Sequence, residues 1–299
     1  MKKILIGLGV FITVALVSFY FTSKPTLEKD GSYSPSPLAL SLATVSKTDY
    51  TPKNYKQYQG VKSKVAVLFT EQKNMKMENG RLFSTGNHPI EALLPMLHLK
   101  NAGFDFEILT ATGKPVVFEM WAFPQEDAAV KELYNSYKTK FESPKSLSEF
   151  MSKDSISSDA YAAVFIPGGH GAMLGIPEDT NVDGLLRWAY QSNLFTITLC
   201  HGPGALLATE SNNQKFLYEG YKMAVFPDAI DAITPMIGYL PGNMTVGLSE
   251  KLKSLGVELV NSEADNSVVI DRRLITGASP LASNALGVLA ATTLLENIK

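Results

Sequence analysis

The chain has 299 residues, with 27 Lys and Arg against 29 Asp and Glu for a formal net charge of -2, and 45% of it is hydrophobic. That balance gives nucleic-acid binding no electrostatic support. A single cysteine excludes an intrachain disulfide and any multi-cysteine metal site, and the length suits one large domain or one domain with an appendage.

Lys2 and Lys3 precede an uncharged apolar run from Ile4 to Phe21. A basic start and a hydrophobic stretch are the pattern of a targeting or anchoring segment. The run is long for a signal-peptide core and just long enough to span a bilayer, and a small-residue cleavage pattern is poor around Val17-Ser18-Phe19. Residues 1–23 are therefore expected to be a signal or an N-terminal membrane anchor, with the lysines inside and the rest exported, periplasmic or otherwise extracytoplasmic. Residues 24–62, rich in Ser, Thr, Pro, Lys and Tyr, read as a linker and the start of a small domain. Residues 63–299 read as the core.

Lys64 to Thr70 predicts the first core strand and Glu71 to Gly86 a polar loop. Ile90 to Asn101 predicts a helix, with Pro95 in its first turn or kinking it, and Phe104 to Thr110 a second strand. Residues 113–158 turn charged and aromatic, with a helical stretch from Glu126 to Lys140, and are expected to form an inserted cap. Tyr161 to Ile166 resumes the strands, and Val182, Leu185, Leu186 and Ala189 fall at helical spacing. Strands follow at Phe195–Leu199, Tyr221–Phe226, Val257–Val260 and Ser267–Ile275. Leu248, Leu252 and Leu255 mark a helix closed by Gly256, and Leu281–Leu295 a terminal helix. Strands alternating with helices predict an α/β fold with a mainly parallel sheet covered on both faces.

Cys200 is the centre of interest. It falls between the apolar strand Phe195–Leu199 and a helix opened by Pro203. A sharp strand-to-helix turn exposes its junction residue, the mechanics of a nucleophile elbow with cysteine in place of serine. Parallel sheets place their chemistry at such carboxyl ends, and the helix N-terminus predicts an acidic, thiolate-prone thiol. The plainer alternative is a small buried residue. Of the four histidines, none follows His201, so a triad with histidine and glutamate near the C-terminus, as in class I glutamine amidotransferases, cannot form in cis. His201 is a candidate base if the elbow is sharp enough. Asp228 and Asp231 are candidate orienters, and Glu91 a candidate general acid or base. The backbone of Gly168 and Gly169 offers N–H groups for an oxyanion.

The loop Phe165-Ile166-Pro167-Gly168-Gly169-His170-Gly171-Ala172 and the elbow Leu199-Cys200-His201-Gly202-Pro203 resemble the DJ-1/PfpI superfamily. Leu-Phe-Ser-Thr at 82–85, Gly-Asn-His-Pro-Ile-Glu at 86–91, Phe-Pro-Asp-Ala-Ile-Asp-Ala at 226–232, Thr-Pro-Met-Ile-Gly-Tyr-Leu-Pro-Gly at 234–242 and Thr-Gly-Ala-Ser-Pro at 276–280 narrow the resemblance to the Hsp31 (HchA) branch, from about Tyr55 onward. The resemblance implies a flavodoxin-like sandwich with a small second domain, dimeric, and a cofactor-independent glyoxalase III activity that turns methylglyoxal into lactate. A protein deglycase and a holdase chaperone activity are also implied; an amidase or aminopeptidase is the further alternative. The partners it implies are small 2-oxoaldehydes or glycated proteins. By residue match Cys200 is the nucleophile, His201 its base, Asp231 the orienter and Glu91 the acid/base beside the sulfur. The branch's two-histidine, one-carboxylate metal site aligns with Lys100, Asp105 and Tyr137, which predicts no metal there.

Overall fold

The computed structural model describes residues 22–152, 158–210 and 215–298. The apolar run Ile4–Phe21 lies outside them.

A seven-stranded sheet organises the molecule. In chain order its strands are β1 (Lys64–Leu68), β2 (Asp105–Thr110), β3 (Lys145–Ser146), β4 (Tyr161–Ile166), β5 (Phe195–Leu199), β6 (Val268–Asp271) and β7 (Leu274–Gly277). Their spatial order is β6-β7-β5-β4-β1-β2-β3, and only the β6–β7 pair is antiparallel. Such a sheet must be apolar on both faces, and β1 meets that demand residue by residue. Val65 and Val67 enter one core and Ala66 and Leu68 the other, following the two-residue period of a strand.

Helices α1 (Pro89–Asn101), α2 (Ala128–Glu142) and α5 (Ser283–Asn297) fill the first core; α3 (Thr180–Gln191) and α4 (Leu248–Ser254) serve the second. The mainly parallel α/β sandwich is thus as expected. Pro95 sits inside α1, past its first turn, and its ring nitrogen cannot donate to the carbonyl four residues back, that of Glu91. Helix α1 tolerates this while buried against α5, where a Cβ on Gly287 would lie 3.0 Å from the Cα of Pro95.

Several local expectations change. Residues 71–86 are not a plain loop: Asn74–Lys76 and Leu82–Ser84 pair antiparallel, and Leu82–Ser84 also pairs with Tyr33–Ser34. The stretch 24–62, read as a linker and the start of a small domain, carries two short strands and the helix Pro37–Ala43, whose Ser36 cap is tied by its hydroxyl to the carbonyl of Ile237 at 2.6 Å. Residues 113–158, read as a cap, lay α2 onto α1, and Val130, Leu133, Tyr137 and Phe141 belong to the same core as the sheet. The strand expected over Tyr221–Phe226 shrinks to Lys222–Met223, paired with Glu258–Leu259 outside the central sheet. The single strand read over Ser267–Ile275 folds back at Arg272 (φ 54°) into β6 and β7. Among the described residues no helix is long and apolar enough to cross a membrane.

Candidate active site

The sheet's carboxyl ends deliver the chemistry. Cys200 follows β5 and adopts φ 57°, a left-handed conformation that costs a side-chain-bearing residue energy and persists only where its surroundings enforce it. Two hydrogen bonds enforce it: the Cys200 N–H donates to the carbonyl of Gly277 at 2.8 Å, and its carbonyl accepts from the N–H of Phe226 at 3.0 Å. The chain then continues as a 3₁₀ helix, Gly202–Glu210, rather than the expected α-helix.

This turn settles the geometric question about His201. Its Nδ1 lies 3.4 Å from the Cys200 sulfur and its Nε2 2.8 Å from Asp231 Oδ2. Sulfur, imidazole and carboxylate thus stand in line, the arrangement that a nucleophile, base and orienter would need. Asp231, on the short helix Asp228–Ile233, also meets His170 Nε2 through its other oxygen, at 3.0 Å. Burial alone would raise the Asp231 carboxyl, but the two imidazoles outweigh it and hold it far below the usual range. Asp228, the other candidate, is drawn away: its carboxylate accepts from the N–H groups of Ser249 and Glu250, both at 2.9 Å, and starts α4.

Glu91 sits in the first turn of α1 and is buried. Neither of its carboxyl oxygens has a partner at good hydrogen-bond geometry; the Cys200 thiol and the Gly169 N–H are the polar groups that oppose its protonation. Burial, with Glu119 adding to it, keeps the carboxyl well above the usual carboxylate range. Gly168 makes this contact possible. A Cβ there would fall 1.9 Å from Glu91 Oε2 and 2.8 Å from the Cys200 Cβ. Gly169, at φ 100°, packs where a Cβ would lie 2.5 Å from the carbonyl oxygen of Gly86. The two glycines thus bring the carboxyl to the thiol, and the Gly169 N–H faces Glu91.

The acidic thiol expected from the helix terminus is corrected by its surroundings. Burial pushes Cys200 up, Glu91 and Asp231 push it further, and only the backbone N–H of His201 opposes them. Burial thus favours the protonated form of both the thiol and the carboxyl, and the imidazole Nδ1 of His201 faces the sulfur.

Four residues of the site went unread in the sequence: His170, His88, Glu119 and Tyr239. All line the same cavity of about 450 Å³ as Cys200, His201, Glu91 and Asp231. His170 was legible by the rule that selected Cys200, since it follows the carboxyl end of β4. Glu119 comes from the segment 113–158, brought in where Asn87 bridges Phe118 and the Glu119 N–H donates to the Asn87 carbonyl at 3.0 Å. Burial raises Glu119 to about 7 and lowers His88 to about 3. Burial also raises Tyr239, with Glu119 and Cys200 adding to it.

Two places bear on metal. His170, His201 and Asp231 bring three ligand atoms within 4.8 Å of one another, but here the carboxylate is taken up by both imidazoles. At the other, Tyr137 donates to Asp105, Lys100 Nζ donates to the Tyr137 oxygen at 3.0 Å, and Lys140 Nζ lies 3.8 Å from Asp105. Two ammonium groups flank the one carboxylate, so these residues do not fit a divalent cation.

A parallel α/β sandwich with a strained cysteine elbow, an adjacent histidine and a buried glutamate defines a class, and the family match agrees with it: residues 82–292 match the DJ-1/PfpI family, and the chain belongs to that family. Among its relatives, a protein/nucleic acid deglycase HchA of Pseudomonas aeruginosa is 45% identical over 92% of this chain and 96% of its own length. One of Staphylococcus aureus is 43% identical over 93% and 97%. The fold also matches solved structures: a rapid encystment protein of Francisella tularensis (TM-score 0.65, 20% identity, 78% of this chain and 99% of the other) and a glyoxalase III of Candida albicans (TM-score 0.60, 20% identity, 77% and 98%).

Proposed function

We propose that the chain is a cofactor-independent, cysteine-dependent enzyme of the glyoxalase III and deglycase type, acting on 2-oxoaldehydes and their amine adducts. The observation that carries this reading is the placement of one buried thiol between an imidazole at 3.4 Å and a buried carboxyl whose protonated form burial favours. The HchA deglycase relatives support the same class.

With methylglyoxal, the Cys200 sulfur bonds to the aldehyde carbon. Its proton passes to His201 Nδ1 and then to the aldehyde oxygen, giving a hemithioacetal. An amine adduct of the same aldehyde reaches the same intermediate: the carbon–sulfur bond forms, the carbon–nitrogen bond breaks, and the thiol proton leaves with the amine. Glu91 gives its proton to the C2 carbonyl oxygen, and the carboxylate so formed, its basicity raised by burial, takes the C1 proton to leave an enediol. Glu91 then delivers that proton to C2 while the C1 hydroxyl returns its own proton to the carboxylate, which gives the thioester and restores the carboxyl. Water then releases the 2-hydroxy acid and restores the thiol. Oxidation at C1 is balanced by reduction at C2, so no redox partner is needed. Asp231 keeps His201 oriented throughout, with His170 on its far oxygen.

The deciding experiment is a panel of free 2-oxoaldehydes and their amine adducts with wild type and Cys200→Ala. This reading expects 2-hydroxy acid from both groups, amine release from the second, and neither from the variant. A Cys200→Ala protein that still suppresses aggregation of unfolded clients while wild type turns over nothing would favour the holdase reading.

We also read the segment before Thr22 as a membrane anchor. Its support is the sequence alone: Lys2 and Lys3, then an uncharged apolar run to Phe21. Replacing Ile12 with Arg should release the protein from membranes.

A further inference from the structure

The mouth of the active-site cavity carries an unusual surface. Leu42, Val45, Ile233 and Leu281 line it and are all exposed, and Met236 beside them is 75% exposed. Isolated exposed apolar residues need no explanation, but several gathered around one opening mark a contact surface.

The way the chain arrives identifies the partner. Ser23 lies directly against Gly238: a Cβ on that glycine would fall 1.9 Å from the Ser23 carbonyl oxygen. The next stretch is fixed to the same turn, since the Ser36 N–H donates to the Gly238 carbonyl at 2.8 Å and the Ser36 hydroxyl to that of Ile237 at 2.6 Å. Ile233 and Ile237 of that turn line the cavity, as does Leu42 of the helix that Ser36 caps. Only Thr22 separates the apolar run's last residue, Phe21, from Ser23. Two residue steps of extended chain span about 7 Å, roughly the depth of one headgroup layer, since headgroups widen a bilayer from about 30 to about 40–45 Å.

We propose that the apolar rim of the active site rests on the bilayer that holds the N-terminal run, so that the cavity opens at the lipid interface. The inference rests on the anchor reading. Given that anchor, a tether this short leaves the domain no room to turn its mouth to solvent, and the face it must present is the apolar one. The substrates then sampled first are those concentrated at the membrane surface: carbonyl compounds that partition into the interface, and adducts on lipid amines.

The test uses the full chain in vesicles of phosphatidylethanolamine and phosphatidylglycerol that contain a phospholipid with a photoactivatable headgroup. Flotation reports anchoring, and mass spectrometry of cross-linked peptides reports orientation. The expected result is flotation, with adducts on the peptides holding Leu42, Ile233, Met236 and Leu281 several-fold above those on the β6–β7 hairpin. Met236→Asp with Leu281→Asp should float equally while losing most rim adducts. Flotation with adducts only beside Thr22 would overturn the rim inference and leave the anchor standing. Failure to float would overturn both. A rim buried by a second copy of the chain would give protein–protein cross-links that grow with protein concentration in place of lipid adducts, and would overturn it too.

Discussion

Two clusters of carboxyl and ring-bearing side chains in this molecule do opposite things. Around Asp105, Lys100 and Lys140 bring fixed charge, and Tyr137 donates to the carboxylate. Both lysine heads also lie over the Tyr137 ring, 5.0 and 5.1 Å from its centroid. Burial raises Asp105, but the Tyr137 hydrogen bond, the Phe106 N–H and the lysines outweigh it, and the carboxyl is lowered. Every proton has a settled place. Among the described residues that line the cavity around Cys200 there is no lysine or arginine. Glu91 and the thiol are pushed up together by burial, His201 faces the sulfur, and Asp231 is divided between two imidazoles. A carboxylate with ammonium partners holds structure; one that is buried without them holds a transferable proton.

The largest effects should follow from disturbing the second cluster. Glu91→Gln keeps the size and removes the proton, and is expected to lower kcat by about 10²–10⁴-fold. Asp231→Asn is expected to cost a similar factor by losing the imidazole's orientation and charge partner. Steady-state kinetics with folding checked by circular dichroism would read both. A Glu91→Gln enzyme within a few-fold of wild type would put the proton transfer elsewhere.

His170→Gln sharpens the contrast. It removes one of the imidazoles that hold Asp231 low, so the acidic limb of the rate profile should move to higher pH, while kcat at the optimum changes less than in Asp231→Asn. An unmoved limb would make His170 a packing residue.

Glu119 links the site to stability, and its sign can be worked out. Its carboxyl is raised from 4.5 to about 7 in the folded chain. Between those values the folded state keeps a proton that the unfolded state has released, so this group makes stability fall as pH rises through that window. Glu119→Gln should therefore be more stable than wild type above pH 7, by an amount of order 3 kcal/mol, with the gap closing below about 4.5. Thermal melts from pH 5 to 8 would check it. His88 acts on the acid side. Its pKa falls to about 3, so the unfolded state takes up a proton that the folded state refuses, and stability falls as pH drops from about 6.5 toward 3.

The smallest effect belongs to the first cluster. Lys100→Met removes one exposed ammonium and should cost about 1 kcal/mol or less, leaving turnover unchanged and unresponsive to added zinc.

The legibility of the chain followed the same division. The strands β1 and β5 and the sharp turn at Cys200 could be read because parallel sheets place function at strand ends; His201, Asp231 and Glu91 were singled out through local motifs and the family resemblance, and the structure brings their side chains around the sulfur's cavity. The pairing of 33–34 with 82–84 could not be read, because partners so far apart in the chain leave no periodic trace at that length. Glu119 was hidden for the same reason: it reaches the cavity only through a bridge between Asn87 and Phe118. The thiol's acidity was misjudged because the sequence shows a helix start but not the burial that outweighs it.

The most direct measurement of the central claim is lactate formed from methylglyoxal by the full chain with no glutathione or other thiol present. Sustained turnover that vanishes in Cys200→Ser is the predicted result. Turnover only after glutathione is added, or turnover that survives in Cys200→Ser, would contradict it.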